Sequence, residues 1–326
     1  MKRTRLCLVI ATVVVMVAVA VSSHAQSYPR KPVTIIVPVA AGGNVDLVAR
    51  GIFQMVGASL GQQFLVDNRP SNSSLVGTQL VGRAAPDGYT LLAMASTFAV
   101  APFVVRDAGY DPLKEFVAVS QTCWLPQILV VRPTLPVKSV QELIAYAKTH
   151  PGELTVAHSG TGGTGHMAWE LFNQQVGGLK VVQVPYKGNA PALIDLLGGQ
   201  VDVTFDTFST SIQHVKAGKL RALGLTGTKR SPIFPDLPTI AESGLPGYEA
   251  SIFNGIVAPA GTPRDILVRL QTEIAKAVQN PELRNRYSSQ GVELTASESP
   301  EAFTAFIRNQ VERYSKLVRD VGIKPE

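Results

Sequence analysis

The most constraining feature of this chain is a rhythm in which short apolar runs of strand length alternate with stretches of helical spacing. Residues 33–37 (VTIIV) form one such run, ended by Pro38 and by Gly42-Gly43. Leu47, Val48, Ile52, Met55, Val56 and Leu60 then recur at the three- and four-residue intervals of one helix face. Residues 63–67 (QFLVD) follow, then a helix-like stretch near 75–84, then 90–94 (TLLAM) behind the turn Pro86-Asp87-Gly88. Strands that read as unbroken apolar runs, separated by helices, belong to parallel sheets covered on both faces.

The rhythm restarts at Ser139. Ser139 and Glu142 have the spacing of a capping box, and the helix they open stops at His150-Pro151-Gly152. Strands are expected at 154–158 (LTVAH), 180–184 (KVVQV), 201–205 (VDVTF) and 222–226 (ALGLT), with helices at 166–176, 190–197 and 209–217 between them. Two α/β units therefore follow one another, meeting within 121–138. A Pro- and Gly-rich stretch over 231–263 is long enough to cross between them. Two helices close the chain. Thr262-Pro263-Arg264-Asp265 places an N-cap, a first-turn proline and a first-turn carboxylate, and Ser299-Pro300-Glu301 repeats the arrangement before Phe303, Phe306, Ile307, Val311, Tyr314 and Leu317. Those apolar residues read as core, and the helices as returning to pack on the first unit.

Composition narrows the function. The 326 residues carry 45% hydrophobic and 17% charged side chains, which excludes a disordered chain or a coiled coil. Lys2, Arg3 and Arg5, the apolar run 7–21 and Ser23-His24-Ala25 have the layout of an export signal over 1–25, too short for a membrane span of about 20 residues. A lipoprotein would need a cysteine where Gln26 stands. Loss of those three cations takes the formal charge from +6 to +3, which is no nucleic-acid footprint. Loss of Cys7 leaves Cys123 as the only thiol, so no intramolecular disulfide is expected. The expected location is the periplasm, as a soluble protein after signal cleavage.

Several catalytic patterns fail on inspection. Gly160-x-Gly162-x-x-Gly165 has dinucleotide spacing, but residues 180–187 (KVVQVPYK) lack the carboxylate that would hold a ribose. A P-loop would need Lys-Ser/Thr where His166-Met167 stands. Ser159, His166 and Asp206 resemble a nucleophile set, but Ala157 replaces the glycine of a nucleophile elbow. His150, His158, His166 and His214 show no metal-ligand spacing. No cofactor and no metal are expected. What remains is the backbone itself. A Gly-rich turn between strand and helix lets consecutive N–H groups converge at the positive end of a helix, where they hold a carboxylate or phosphate. The chain has two such turns, Ala40-Ala41-Gly42-Gly43-Asn44-Val45-Asp46 and Ser159-Gly160-Thr161-Gly162-Gly163-Thr164-Gly165-His166. Facing each other from two lobes, they would grip an anion.

At this point the motifs resemble a known family. Tyr28-Pro-x-Lys-Pro32, Gly42-Gly-x-x-Asp46-x-x-Ala-Arg50, Asp67-Asn-Arg-Pro70, Ala85-Pro-Asp-Gly-Tyr89, Tyr110-Asp-Pro112, Val184-Pro-Tyr-Lys-Gly188, Gly198-Gly-Gln-Val-Asp202, Ala217-Gly-Lys-Leu-Arg-Ala222 and Gly244-Leu-Pro-Gly-Tyr248 are similar to those of the solute receptors of tripartite tricarboxylate transporters, the Bug proteins. The resemblance runs in order from about Tyr28 to the C-terminus, with these motifs between Tyr28 and Tyr248. The resemblance implies an α/β fold of the type II periplasmic-binding class: two lobes, each a mainly parallel sheet flanked by helices, with a ligand cleft between them. It implies lobe 1 over 26–125 plus 250–326, lobe 2 over 126–249, and crossovers near 121–130 and 245–258.

By the same resemblance, loops 40–46 and 159–166 hold a carboxylate through backbone N–H groups and bridging waters. Tyr186, Lys187, Gly188 and Asp206 line the second wall, and Ser96 and Thr97 the first. Asp46 fits either a helix cap or a contact to the ligand's polar end. The sequence departs from the family at Ser71-Asn-Ser-Ser74, where a Gly-rich run is usual, and at Asn44-Val45, so no relative's ligand transfers directly. The expected protein is a monomeric receptor, not an enzyme, that captures a small organic carboxylate and delivers it to membrane transporter subunits. The rival readings are a receptor that presents the ligand to a sensor protein, and a secreted enzyme acting on a carboxylate.

Overall fold

The computed structural model describes residues 28–325. The expected export segment over 1–25, with Cys7, lies outside the described residues.

The first part of the chain forms β1 (Val33–Val37), α1 (Asn44–Leu60), β2 (Phe64–Asn68), α2 (Leu75–Gly82), β3 (Thr90–Ala95), a one-turn helix α3 (Ala101–Val104) and β4 (Phe116–Leu125). Next come β5 (Gln127–Val131), α4 (Val140–Thr149), β6 (Thr155–His158), α5 (Thr164–Gln175), β7 (Val182–Pro185), α6 (Asn189–Leu197), β8 (Val203–Thr207), α7 (Phe208–Lys216) and β9 (Arg221–Leu225). The remainder forms β10 (Ile252–Pro259), α8 (Arg264–Val278), α9 (Pro281–Ser288), β11 (Glu293–Leu294) and α10 (Pro300–Val321).

These strands build two sheets, ordered β11-β4-β10-β3-β1-β2 and β7-β6-β8-β5-β9. Each contains a parallel trio, β2-β1-β3 in one and β7-β6-β8 in the other. Four of the six strands in the first sheet and four of the five in the second run in one direction. Of the three reversed strands, β11 is a two-residue edge strand on β4, and β10 and β5 belong to the connections between the sheets. β4 passes into β5 through Pro126 alone, and β10 returns to lie between β3 and β4.

Burial explains the apolar runs. Ile35 packs with Val48, Ile52, Phe53, Leu270 and Ile274 on one face of the first sheet, while the adjacent Ile36 packs with Leu92, Phe253, Phe303 and Ile307 on the other. The second sheet repeats this, with Leu129 and Val131 on one side and Ile128 and Val130 on the other. A strand covered on both faces has no position at which a polar residue is cheap.

The capping signals hold in part. Ser139 Oγ accepts from Glu142 N–H at 3.1 Å, and Ser299 Oγ accepts from Ala302 N–H at 3.1 Å. Thr262 does not cap α8. Pro263 occupies the N-cap position, and the Thr262 hydroxyl donates back to Pro259 O at 2.8 Å. The tail has three helices rather than two. α9 opens on Asn280, whose side chain accepts from Leu283 N–H at 3.0 Å, with Pro281 behind it.

α10 joins the two halves. Phe303 is fully buried against the first sheet, and a side chain at Gly255 of β10 would lie 2.2 Å from its ring. Further along, Leu317 and Val318 pack with Val100 and Val104 of the first half and Met167 of the second.

Candidate functional site

The two Gly-rich turns close in the same way. In the first, Gly43 N–H donates to Ala40 O at 3.4 Å and Gly42 N–H to Asp46 Oδ2 at 2.9 Å. In the second, Gly163 N–H donates to Gly160 O at 3.0 Å and Gly162 N–H to His166 Nδ1 at 3.0 Å. Gly42 and Gly162 both have positive φ, +84° and +74°, which glycine adopts freely. The glycine after each is the N-cap of a long helix, α1 or α5, and neither helix has a side-chain cap. The first-turn N–H groups of Asn44, Val45 and Asp46, and of Thr164, Gly165 and His166, therefore have no partner within the helix. Gly42 and Gly162 themselves are spent on the side chains that shape the turns. The donors available to an anion sit two to four residues after these two glycines.

Asp46 has a structural post. It is 2% exposed, and its second oxygen accepts from Arg50 Nε and Asn68 Nδ2, both at 2.9 Å. Burial opposes its charge, but Arg50, the Gly42 N–H and Asn68 hold the carboxyl below its ordinary range. Asn68 also donates to Val39 O at 3.1 Å, tying β2 to the same loop. Asp46 thus reaches back over its own turn rather than capping at the N-cap position.

His166 plays the corresponding part in the second turn. With Nδ1 accepting from Gly162, the ring's proton resides on Nε2, 3.5 Å from Glu170 Oε1. Gln183 on β7 donates to the same carboxylate at 2.5 Å, and His158 stacks on His166 with ring centroids 4.4 Å apart. Burial would raise the Glu170 pKa, yet the bonds from His166 and Gln183 bring it below the usual value.

Strand register assembles the second wall. His158 pairs with Pro185, and Tyr186 N–H donates to His158 O at 2.9 Å, so Ser159 and Tyr186 leave adjacent strand ends. The Tyr186 hydroxyl donates to Asp195 at 2.6 Å, Lys187 is exposed, and Gly188 is the N-cap of α6. Asp206, at the end of β8, is 2% exposed. Its Oδ2 accepts from Ser211 at 2.6 Å and from Thr210, while Oδ1 has no partner among the described residues. Burial raises its pKa despite hydrogen bonds from Ser211 and Thr210.

A pocket of about 10 Å³, room for roughly one water, lies where the halves meet. Of the expected site residues its wall includes Ser96, Thr97, Gly162 and Thr164. Ala40, Ala41, Gly42 and Gly43 stand exposed at the end of β1, and they lie outside that wall; the half-buried Tyr186 and Gly188, the exposed Lys187 and the buried Asp206 lie outside it too. Gln127, Ala250, Ser251 and Ile252 join the wall from the connections between the sheets, where no sequence motif marked them. No charged side chain lines it. The halves touch closely here: a Cβ at Gly162 would sit 2.3 Å from Val104 Cγ2.

With this geometry described, the comparisons with known proteins decide the family. Residues 48–323 match the model of the tripartite tricarboxylate transporter family receptor. The chain belongs to that family. BugD, described as a periplasmic binding protein, is 33% identical, with a TM-score of 0.77 over 92% of this chain and 100% of that one. Rpa4515 from R. palustris, solved with adipate, is 36% identical, with a TM-score of 0.80 over 92% of this chain and 100% of its own. MatC from Rhodopseudomonas palustris, solved with bound malate, is 31% identical, with a TM-score of 0.76 over 89% and 100%. The family is one of substrate-binding receptors rather than enzymes, and its members include periplasmic binding proteins. No helix among the described residues is long and apolar enough to cross a membrane.

Proposed function

We propose that this protein is a periplasmic receptor that captures a small organic carboxylate between lobes over 26–125 plus 250–326 and 126–249, and delivers it to the membrane subunits of a tripartite tricarboxylate-type transporter. The observation that carries the reading is the pair of matched turns, each ending in a helix whose N-terminus has no side-chain cap. The bound adipate and malate of two relatives agree with an acidic ligand. Hydrogen bonds to a charged group contribute about 1.5–3 kcal/mol each. Three or four of them, less the cost of closing the lobes, reach the roughly −8 kcal/mol of micromolar binding without any catalytic group. Loop 40–46 supplies the donors of lobe 1 and loop 159–166 those of lobe 2. Ser96 and Thr97 extend the first wall, and Tyr186 to Gly188 with Asp206 the second.

A thermal-shift screen of the purified protein against a carboxylate panel tests this. An acid at 100 times its dissociation constant should add about 2.7 kcal/mol of stability. A panel of short mono-, di- and tricarboxylates that stabilises nothing sinks the reading, and turnover of a bound acid would replace it with an enzymatic one.

A further inference from the structure

Within the pocket wall one side chain makes a demand that a carboxylate does not meet. Gln127, the first residue of β5, is 1% exposed. Its backbone is fixed on both sides, since its N–H donates to Thr226 Oγ1 at 2.8 Å and its carbonyl accepts from Thr226 N–H at 2.9 Å. Its Nε2 donates to Thr164 O at 3.2 Å and to Ala250 O at 2.8 Å, using both amide hydrogens. The amide therefore has one orientation, because a flip would set Oε1 against two carbonyl oxygens. In that orientation Oε1 is buried and accepts from no group among the described residues. A buried acceptor without a donor costs about 1–3 kcal/mol, so a site that keeps one is arranged for a partner from outside the chain. Oε1 lies beside the start of α5, which packs so closely on β8 that a Cβ at Gly165 would sit 2.5 Å from Phe205 O.

The position of this acceptor gives it meaning. The Thr164 carbonyl that Gln127 holds belongs to the first residue of α5, whose first-turn N–H groups face an anion in the receptor reading. The acceptor thus belongs to the side chain that braces the first residue of the donor turn. An ionised carboxylate satisfies the donors and has no hydrogen for Gln127. A hydroxyl or ammonium group on the carbon next to the carboxylate has one.

Resting on the receptor reading, we infer that the ligand is a carboxylate bearing a hydroxyl or amino group at its 2-position, and that Gln127 Oε1 is the residue that selects for it. The inference concerns only this second group, and the remainder of the ligand's chain is left to the other walls.

Matched pairs of acids test it by calorimetry on the unmodified protein: malate against succinate, lactate against propionate, and aspartate as the amino counterpart of malate. The expected result is at least tenfold tighter binding of the substituted member of a pair, with aspartate and malate separating ammonium from hydroxyl. In Gln127→Met the ratio of affinities within each pair should fall below about threefold, whatever change the loss of its bonds to Thr164 O and Ala250 O brings to both members alike. Equal affinities within every pair on the unmodified protein overturn the inference and leave the receptor reading intact, a bridging water then serving Oε1. Binding of none of these acids overturns the inference, while the receptor reading is then decided by the wider carboxylate panel. A Gln127→Met protein that folds and keeps the preference places the selector elsewhere and also overturns it. The measurement on the unmodified protein decides the matter even where the variant does not fold.

Discussion

The two Gly-rich turns share one backbone plan and use opposite side-chain chemistry to hold it. In the first, a buried carboxylate, Asp46, collects Gly42, Arg50 and Asn68, and the loop stands exposed. In the second, an uncharged imidazole nitrogen of His166 takes the Gly162 N–H, and the loop is pressed against Val104 of the other half. The first turn is fixed from within its own lobe. The second is held by His166 and also packs against the other half. In the receptor reading proposed above, this difference makes the first turn the preformed half and the second the half that closure would complete.

Substitution at the glycines should separate the two most sharply. Gly162→Val meets both a positive φ and Val104, so it should hold the halves apart and abolish ligand-induced stabilisation, with a larger radius of gyration in X-ray scattering. Gly42→Ala meets no atom within 4 Å and carries only the left-handed backbone cost of about 1–2 kcal/mol, so its response to ligand should survive. Equal loss in both variants would break the distinction between preformed and closing halves.

Next in size is the pair of tethers. Asp46→Ala leaves Asn68 and the Gly42 N–H without their acceptor, while the half-exposed Arg50 regains water, and should cost about 2–3 kcal/mol in chemical denaturation. His166→Ala removes one neutral acceptor and should cost about 1–3 kcal/mol.

The smallest effect is one of sign. The folded-state pKa of Asp46 is depressed, so its contribution is present above its ordinary value of 3.8 and disappears as pH falls through the lower folded value. The pKa of Asp206 is raised, so its contribution is full below 3.8 and is lost as pH rises through the folded value. Melting curves of Asp46→Asn and Asp206→Asn against the parent should therefore diverge in opposite senses. The first variant is the less stable at neutral pH and converges with the parent in strong acid. The second gains on the parent as pH rises above 3.8. Parallel curves would show that the two carboxylates are not held as described.

Much of this arrangement was legible in residue order. The strands buried on both faces announced themselves as apolar runs, and Gly42-Gly43 and Gly162-Gly163 marked both turns. The tethers were less legible, because Asp46 could equally have met a ligand until Arg50 and Asn68 were seen to surround it. Gln127 was invisible. It stands in a connecting strand without helical period or glycine, and what distinguishes it is two carbonyls, at Thr164 and Ala250, that only the tertiary fold brings to its amide. Asn280-Pro281 carried the same start signal as Ser299-Pro300 but fell in a polar stretch with little apolar period, so α9 was missed. Cys123 was marked as a solitary thiol. The structure adds that burial pushes its pKa up to about 12, even with Asn44 and Asn254 beside the sulfur, which leaves it inert to alkylation while the fold holds.

Helix α10 begins in the packing of the first sheet and finishes beside Met167 of the second half. A dye attached just past its end would report on the separation of the halves with no alteration to either turn. The segment that leaves α10 is thus a mounting point for turning a protein of this family into an optical sensor.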